Sequence, residues 1–298
     1  MSGADVLIEG FRPGVMERLR LGPADCPETL IYARMTGWGQ TGPLAARAGH
    51  DINYLALTGA LHAIGPADAP PVVPLNLVAD FGGGTMFLLF GILSAVIERS
   101  VSGQGQVVDA AMAEGVPAMM GLIHTMIARK TWSGDRSSNW LDGASPFYRC
   151  YECADGEYIS VGALEPQFYA ELLRIAGLDA PGDQMDKAAW PHRVAAFAET
   201  FRRKTRDEWA EIFAGSDACV APVLNFAEAT LHPQNVDRGT FSAPRGIMQA
   251  QPAPRFSRSE TRAPAAPGAP GADTNAVLSE IGYSDADIAA MRDSGALK

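Results

Sequence analysis

The sequence predicts an α/β protein with a large domain on a parallel sheet and a smaller α+β domain. Three observations carry that expectation. Through the first 112 residues, short apolar runs alternate with helical stretches, the rhythm of strands joined by crossover helices. Around Asp155-Gly156 the rhythm gives way to a hairpin pattern, Tyr148 to Val161. Farther on, Pro264 to Gly271 is rich in Pro, Ala and Gly and reads as loop.

In chain order, Asp5 to Ile8 is a strand, the breaker Gly10-Phe11-Arg12-Pro13-Gly14 follows, and Val15 to Leu21 is helical. Leu30 to Met35 is the next strand. Gly37-Trp38-Gly39-Gln40-Thr41-Gly42-Pro43 is a loop, leading to a helix over Ile52 to Ala60. The apolar run Val72 to Val78 reads as a strand, although it contains Pro74, and the pattern from Met86 to Ile97 as a helix. Val107 to Asp109 is a short strand before another helix. From Ala113 to Ala144 a helix and a polar loop, Ser133 to Asn139, suit a crossing between domains. An amphipathic helix over Phe168 to Ala176 and a helical Trp190 to Phe213 belong to the small domain, and Thr274 to Ile281 and Asp285 to Asp293 are final helices with capping residues before them. The division that follows is 1–112 large domain, 113–144 linker, 145–222 small domain, 223–253 linker and 254–298 a C-terminal segment.

At 298 residues, nearly half apolar and a fifth charged, the chain can bury a sizeable core. A net charge of −10 argues against nucleic acid or an anionic membrane surface as partner, yet leaves room for a polyanionic ligand held by a few arginines. Four cysteines without a secretory signal point to a reducing compartment, with cytoplasmic residence the simplest expectation. Cys150 and Cys153 form a Cys-X-X-Cys without the second pair or spaced histidines of a zinc site, so they read as structural and no metal is expected. Phe81 to Ile97 is uncharged, but it opens on three glycines and ends in Glu98-Arg99 without membrane anchors, which favours a buried core helix.

Two residues stand out chemically. His50, in Ala48-Gly49-His50-Asp51-Ile52-Asn53-Tyr54, lies at a loop-to-helix junction, where side chains commonly serve ligands. Asp80 ends an apolar run and precedes Phe81-Gly82-Gly83-Gly84, so it reads as a helix N-cap followed by a glycine turn. Gly82 and Gly83 would let a ligand approach the backbone, and the amides of a first helical turn would stabilise a developing oxyanion. The plainer alternatives are that Asp80 caps a buried helix and that His50 is a structural histidine.

The segments Ala4-Asp5-Val6-Leu7-Ile8-Glu9-Gly10-Phe11-Arg12-Pro13-Gly14, Ala33-Arg34-Met35-Thr36-Gly37-Trp38-Gly39-Gln40-Thr41-Gly42-Pro43, Gly49-His50-Asp51-Ile52-Asn53-Tyr54 and Asp80-Phe81-Gly82-Gly83-Gly84 resemble the family III CoA-transferases, and within them the α-methylacyl-CoA racemases. The resemblance extends to Gly162-Ala163-Leu164-Glu165-Pro166-Gln167-Phe168-Tyr169 and Ile281-Gly282-Tyr283-Ser284. It implies a Rossmann-like large domain completed by the last helices, a small domain between two linkers, and a homodimer whose chains interlock. Family members carry two further βα units before this point, roughly 70 residues at ~30 or more per unit. Those units are absent here, so the expected large domain is incomplete, with an exposed sheet edge.

For the site, the resemblance implies His50 and Asp80 as acid and base on opposite faces of the α-carbon of a 2-methylacyl-CoA thioester, with the enolate oxygen against the amides after Asp80. Glu165, from the partner chain, would orient His50; on the sequence alone it is a glutamate before a helix opening at Pro166. Gly10, Arg18 and Met35 are implied around the nucleotide and pantetheine, and Gly49, Asp51 and Tyr54 around the thioester. The expected cofactor set is empty, since CoA is part of the substrate. Two alternatives stay open: a CoA-transferase in which Asp80 is the nucleophile, and an inactive remnant.

Overall fold

The computed structural model describes residues 3–297. The chain divides into two compact units, residues 1–223 and 224–298. In the first, three parallel strands, β1 (Val6–Glu9), β2 (Ile31–Thr36) and β3 (Val107–Ala111), form one sheet in the order β1-β2-β3. Val6 is in register with Ile31, and Tyr32 with Val107. β2 is central and buried from Ile31 to Arg34, as a strand covered on both faces must be. β1 is an edge, and its Ile8 is exposed.

Helix α1 is shorter than its apolar pattern, Val15–Arg18, because Arg20 turns to φ +56°. The helix expected over Ile52 to Ala60 is broken by Gly59 at φ +84° into α2 (Asp51–Ala56) and α3 (Ala60–Ala63). The largest departure comes next. Residues 72–76 form no strand: Pro71 and Pro74 lack N–H donors, and Leu75 lies at φ +58°. The chain becomes helical at Leu77, about ten residues before the apolar pattern predicts, and Leu77–Met86 winds as a π-helix that continues into α4 (Phe87–Ser102). Asp80 is therefore not an N-cap; it lies within the π-helix.

The glycine triplet has a packing role. A Cβ on Gly83 would come within 2.8 Å of the Val116 nitrogen, and one on Gly84 within 2.5 Å of the Met35 side chain. From the other side, a Cβ on Gly115 would lie 1.8 Å from the Gly83 carbonyl oxygen. Gly83 and Gly115 thus let the π-helix and α5 (Met112–Met119) touch backbone to backbone. Helix α6 (Gly121–Ala128) follows. Nor is α4 the buried core helix expected. Leu88 and Ile92 pack on the sheet and Ala95 is buried, while Phe90, Leu93, Ile97 and Val101 on other faces are exposed. Among the described residues, 77–102 is the one helical stretch long and apolar enough to cross a membrane by length and composition.

Beyond an ordered loop in which buried Asn139 bonds Ser133 and Asp142, β4 (Tyr148–Glu152), β5 (Tyr158–Gly162) and β6 (Val220–Pro222) form an antiparallel sheet. The hairpin turns at Gly156, φ +80°, as its Asp-Gly signal predicts. Helices α7 (Pro166–Ala176), α8 (Trp190–Phe201) and α9 (Arg206–Phe213) pack on this sheet around an aromatic cluster that includes Phe147, Tyr151, Phe197, Phe201 and Trp209. The helical stretch Trp190 to Phe213 comprises two helices, because Thr205 starts a new one, accepting from the Glu208 amide while Glu208 accepts from its own. Cys153 is buried in the same cluster. Burial and the nearby Asp155 carboxylate push its thiol up to about 11, which suits an inert structural cysteine.

The second unit contains α10 (Phe226–Leu231), α11 (Pro233–Asp237), the two-stranded pair β7 (Phe241–Ser242) and β8 (Gln249–Ala250), and the expected last helices, α12 (Thr274–Glu280) and α13 (Asp285–Asp293). Ser284 caps α13, accepting from the Asp287 amide.

Candidate active site

In a parallel sheet, ligands bind beyond the carboxyl ends of the strands. A cleft of about 270 Å³ opens there, lined by Gly10 to Pro13 after β1, Met35 to Trp38 at the end of β2, Met112 after β3, and residues 45, 47–49 and 54. A larger cavity, about 390 Å³, lies at the opposite end of β2 and β3, beside Glu28, Leu30, Tyr32, Gln104 and Val107.

An ionic network centred on the buried Glu9 and Arg34 ties the strands together beside the cleft. Glu9, the last residue of β1, accepts from the Phe11 amide at 2.7 Å and pairs with Arg34 of β2 at 3.2 Å. Arg34 also donates to Gln40 at 2.8 Å and pairs with Glu17 of α1, and the Gln40 amide donates to Asp109 of β3 at 3.0 Å. The Glu17 carboxyl is held below its ordinary value, chiefly by the hydrogen bond from Arg34. The wall is aromatic. Tyr54 donates its hydroxyl to the Gly49 carbonyl and meets Trp38 edge-on at 4.8 Å between centroids. A Cβ on Gly37 would strike the Tyr54 ring at 2.0 Å and one on Gly49 at 2.7 Å, so these glycines make room for that ring. Burial, and secondarily the charge of Asp80, raises the Tyr54 phenol above its ordinary value.

His50 directly follows this wall as the N-cap of α2, in extended backbone, with its amide donating to Asn53 at 3.0 Å. Its imidazole is exposed and has no hydrogen-bond partner among the described residues. The structure ties Asp80 to it through Asp51. Buried Asp51 accepts on one oxygen from the amides of Ala79 and Asp80, both at 2.8 Å. The half-buried Asp80 carboxylate accepts from the Asn76 side chain at 3.3 Å, and the Thr85 hydroxyl donates to the Asp80 carbonyl at 3.0 Å.

Of the other expected residues, Gly10, Met35, Gly49 and Tyr54 line the cleft, whereas Arg18 is exposed at the end of α1 and does not. Gly82 and Gly83 face Met119, Val116 and Met112, so the ligand approach expected of them is replaced by helix packing. The amides after Asp80 belong to a π-helix, whose i→i+5 bonding occupies them, so the expected oxyanion seat is not there. Glu165 is exposed as the N-cap of α7, and its carboxylate has no partner among the described residues. Sequence reasoning missed Arg12 and Arg47, which both line the cleft and form no ion pair among the described residues. Arg12 carried a readable signal: it sits in the breaker loop directly after the first strand.

The profile of CoA-transferase family III matches residues 1–274. The chain belongs to this family. It is 46% identical to the α-methylacyl-CoA racemase of Mus musculus over 297 residues, covering 96% of this chain and 77% of the mouse protein. It is 43% identical to the racemase of Homo sapiens, over 96% and 76%. Among solved structures it is similar to a CaiB/BaiF family protein from Brucella suis, with a TM-score of 0.77, 25% identity, and coverage of 93% of this chain and 75% of that one. Family members of another activity are more distant: the human succinyl-CoA:glutarate CoA-transferase is 26% identical over 98% of this chain and 69% of its own length.

Proposed function

We propose that this protein racemises 2-methylacyl-CoA thioesters at the α-carbon by two-base proton transfer. The observation that carries the reading is the joining of His50 to Asp80 through Asp51, next to a cleft at the carboxyl end of the parallel sheet. The identity to the mouse and human racemases supports it.

In one direction the neutral His50 imidazole takes the α-proton, and the electron pair left on carbon delocalises into the thioester carbonyl as an enolate. Asp80, as a carboxylic acid, returns a proton to the opposite face, leaving the inverted thioester with His50 protonated and Asp80 ionised. The reverse reaction exchanges the two roles. The start of α2, opening directly after His50, takes the oxyanion role expected of the glycine run. Arg12 and Arg47 supply the positive charge that a CoA phosphate requires, with Phe11 and Trp38 as apolar surface beside them. Glu165 acts from a partner chain in an interlocked homodimer and holds the histidine tautomer. No cofactor beyond the CoA of the substrate takes part, and the domain division is 1–112, 145–222 and 254–298 around two linkers.

The test is incubation with one enantiomer of a 2-methylacyl-CoA in deuterated water. The racemase reading requires α-deuterium together with inversion, both abolished in His50→Ala and Asp80→Ala. The family's transferase members support a second reading, with Asp80 as nucleophile. CoA transfer to an acceptor acid without α-exchange would establish that reading instead.

A further inference from the structure

We propose that Asp51 is the positioning residue of this pair, its carboxylate docking the start of the π-helix and so setting where Asp80 stands relative to His50. The proposal rests on the racemase reading. The first turn of a π-helix leaves amides without intrahelical acceptors, and the residue in the ordinary capping position, Asn76, makes no side-chain cap. Its amide group is turned instead to the Asp80 carboxylate. The cap comes from a residue 28 positions earlier, on another helix, through one oxygen that holds the Ala79 and Asp80 amides at 2.8 Å each. The chain between the two helices contains α3, three prolines from Pro70 to Pro74 and a left-handed Leu75, and Arg136 anchors it at the His62, Pro66 and Ala69 carbonyls, seven or more residues short of the π-helix, where Asp51 makes the contact to the Ala79 and Asp80 amides.

Asp51 is 5% exposed, so its carboxylate is closed to substrate. Its second oxygen is buried without a hydrogen-bond partner, a costly state for a side chain whose only task is capping. Joined covalently to His50 and by hydrogen bonds to the Asp80 backbone, it is the shortest physical link between the two reacting groups. A displacement of about 1 Å in such a pair can cost about a hundredfold in rate.

The experiment measures kcat and KM by α-deuterium exchange, and amide hydrogen exchange over residues 77–86, for wild type, Asp51→Ala and Asp51→Asn. Asp51→Ala should lower kcat by about a hundredfold, leave KM within about threefold, and accelerate amide exchange in 77–86. Asparagine keeps an oxygen that can accept from both amides, so Asp51→Asn should stay within about tenfold of wild type even if the alanine variant does not fold. Unchanged kcat in Asp51→Ala would overturn the proposal, as would a raised KM at constant kcat. An asparagine variant as slow as the alanine one, with wild-type amide exchange, would also overturn it, because the charge and not the docking would then matter. Wild-type protein that exchanges no α-proton refutes the racemase reading itself, while the amide exchange still reports separately on the docking.

Discussion

Replacing Gly115 by alanine tests how Asp80, the proposed acid, is carried. The added Cβ would sit 1.8 Å from the Gly83 carbonyl oxygen and 2.6 Å from its carbon. Both atoms are backbone, so no side chain can swing aside; the π-helix and α5 must separate by roughly 1.5 Å to restore ordinary contact. Alanine is intrinsically better than glycine in a helix by about 1 kcal/mol. Overpacking a close contact costs typically ~1–3 kcal/mol and sometimes more, and here the obstacle is rigid, so the net effect should be destabilisation by about 2 kcal/mol. Gly121→Ala is the control, since its Cβ meets nothing within 4 Å and α6 begins there. It should be neutral or stabilising by up to about 1 kcal/mol. Urea and thermal unfolding of the two variants beside wild type measures the difference. Because the shift moves the segment bearing Asp80, Gly115→Ala should also lose α-proton exchange at temperatures where it is still folded. Equal stability of the two variants would refute the reasoning.

Two further outcomes follow from the site and the core. Arg12→Ala and Arg47→Ala should each weaken CoA binding about tenfold, as loss of a charge-assisted hydrogen bond does, and flatten its salt dependence in calorimetric titrations; unchanged affinity in both would remove the arginines from the site. Tyr32, Tyr54, Tyr151 and Tyr169 all ionise above the ordinary tyrosine value, with burial the leading cause, and Tyr151 in addition donates its hydroxyl to the Pro146 carbonyl at 2.6 Å. A group that gives up its proton later in the folded chain than in the unfolded one adds stability that is complete below pH 10 and disappears as the pH rises through the folded value. Alkaline titration followed at 295 nm should show these phenols ionising late and together with unfolding; early ionisation in intact protein would contradict their burial.

Much of the fold was readable because it depends on local signals. The alternation of β1, α1 and β2, the hairpin at Asp155-Gly156 and the capped α13 each come from a few adjacent residues. His50 and Asp80 were readable as candidates for the same reason: each has an unusual immediate neighbourhood. What could not be read depends on distant pairs. The glycines after Asp80 look like room for a ligand until Gly115 is seen against them; the run 72–78 is a different case, because the prolines that break it are local and only its apolar content argues for a strand. Asp51 was read as a neighbour of substrate, whereas its carboxylate partners lie 28 and 29 residues away. Charge counting along the chain hides the arginines of the cleft, because the first fifty residues hold five arginines and five carboxylates, although Arg12 and Arg47 face one space.

The chain of contacts running from Glu9 through the Arg34 and Gln40 side chains, and from the Gln40 backbone amide to Asp109, joins all three parallel strands beside the cleft. It acts as a tie-rod. Glu9 and Arg34 are buried, so removing either strands the charge of the other, whereas Gln40 is neutral and Asp109 is exposed. The rim is less constrained, since Phe11, Arg12 and Arg47 stand exposed on loops. A cleft built in this way pairs a cross-tied base with an open entrance, so that loop side chains can move to meet a ligand without disturbing the ion pair held between the strands.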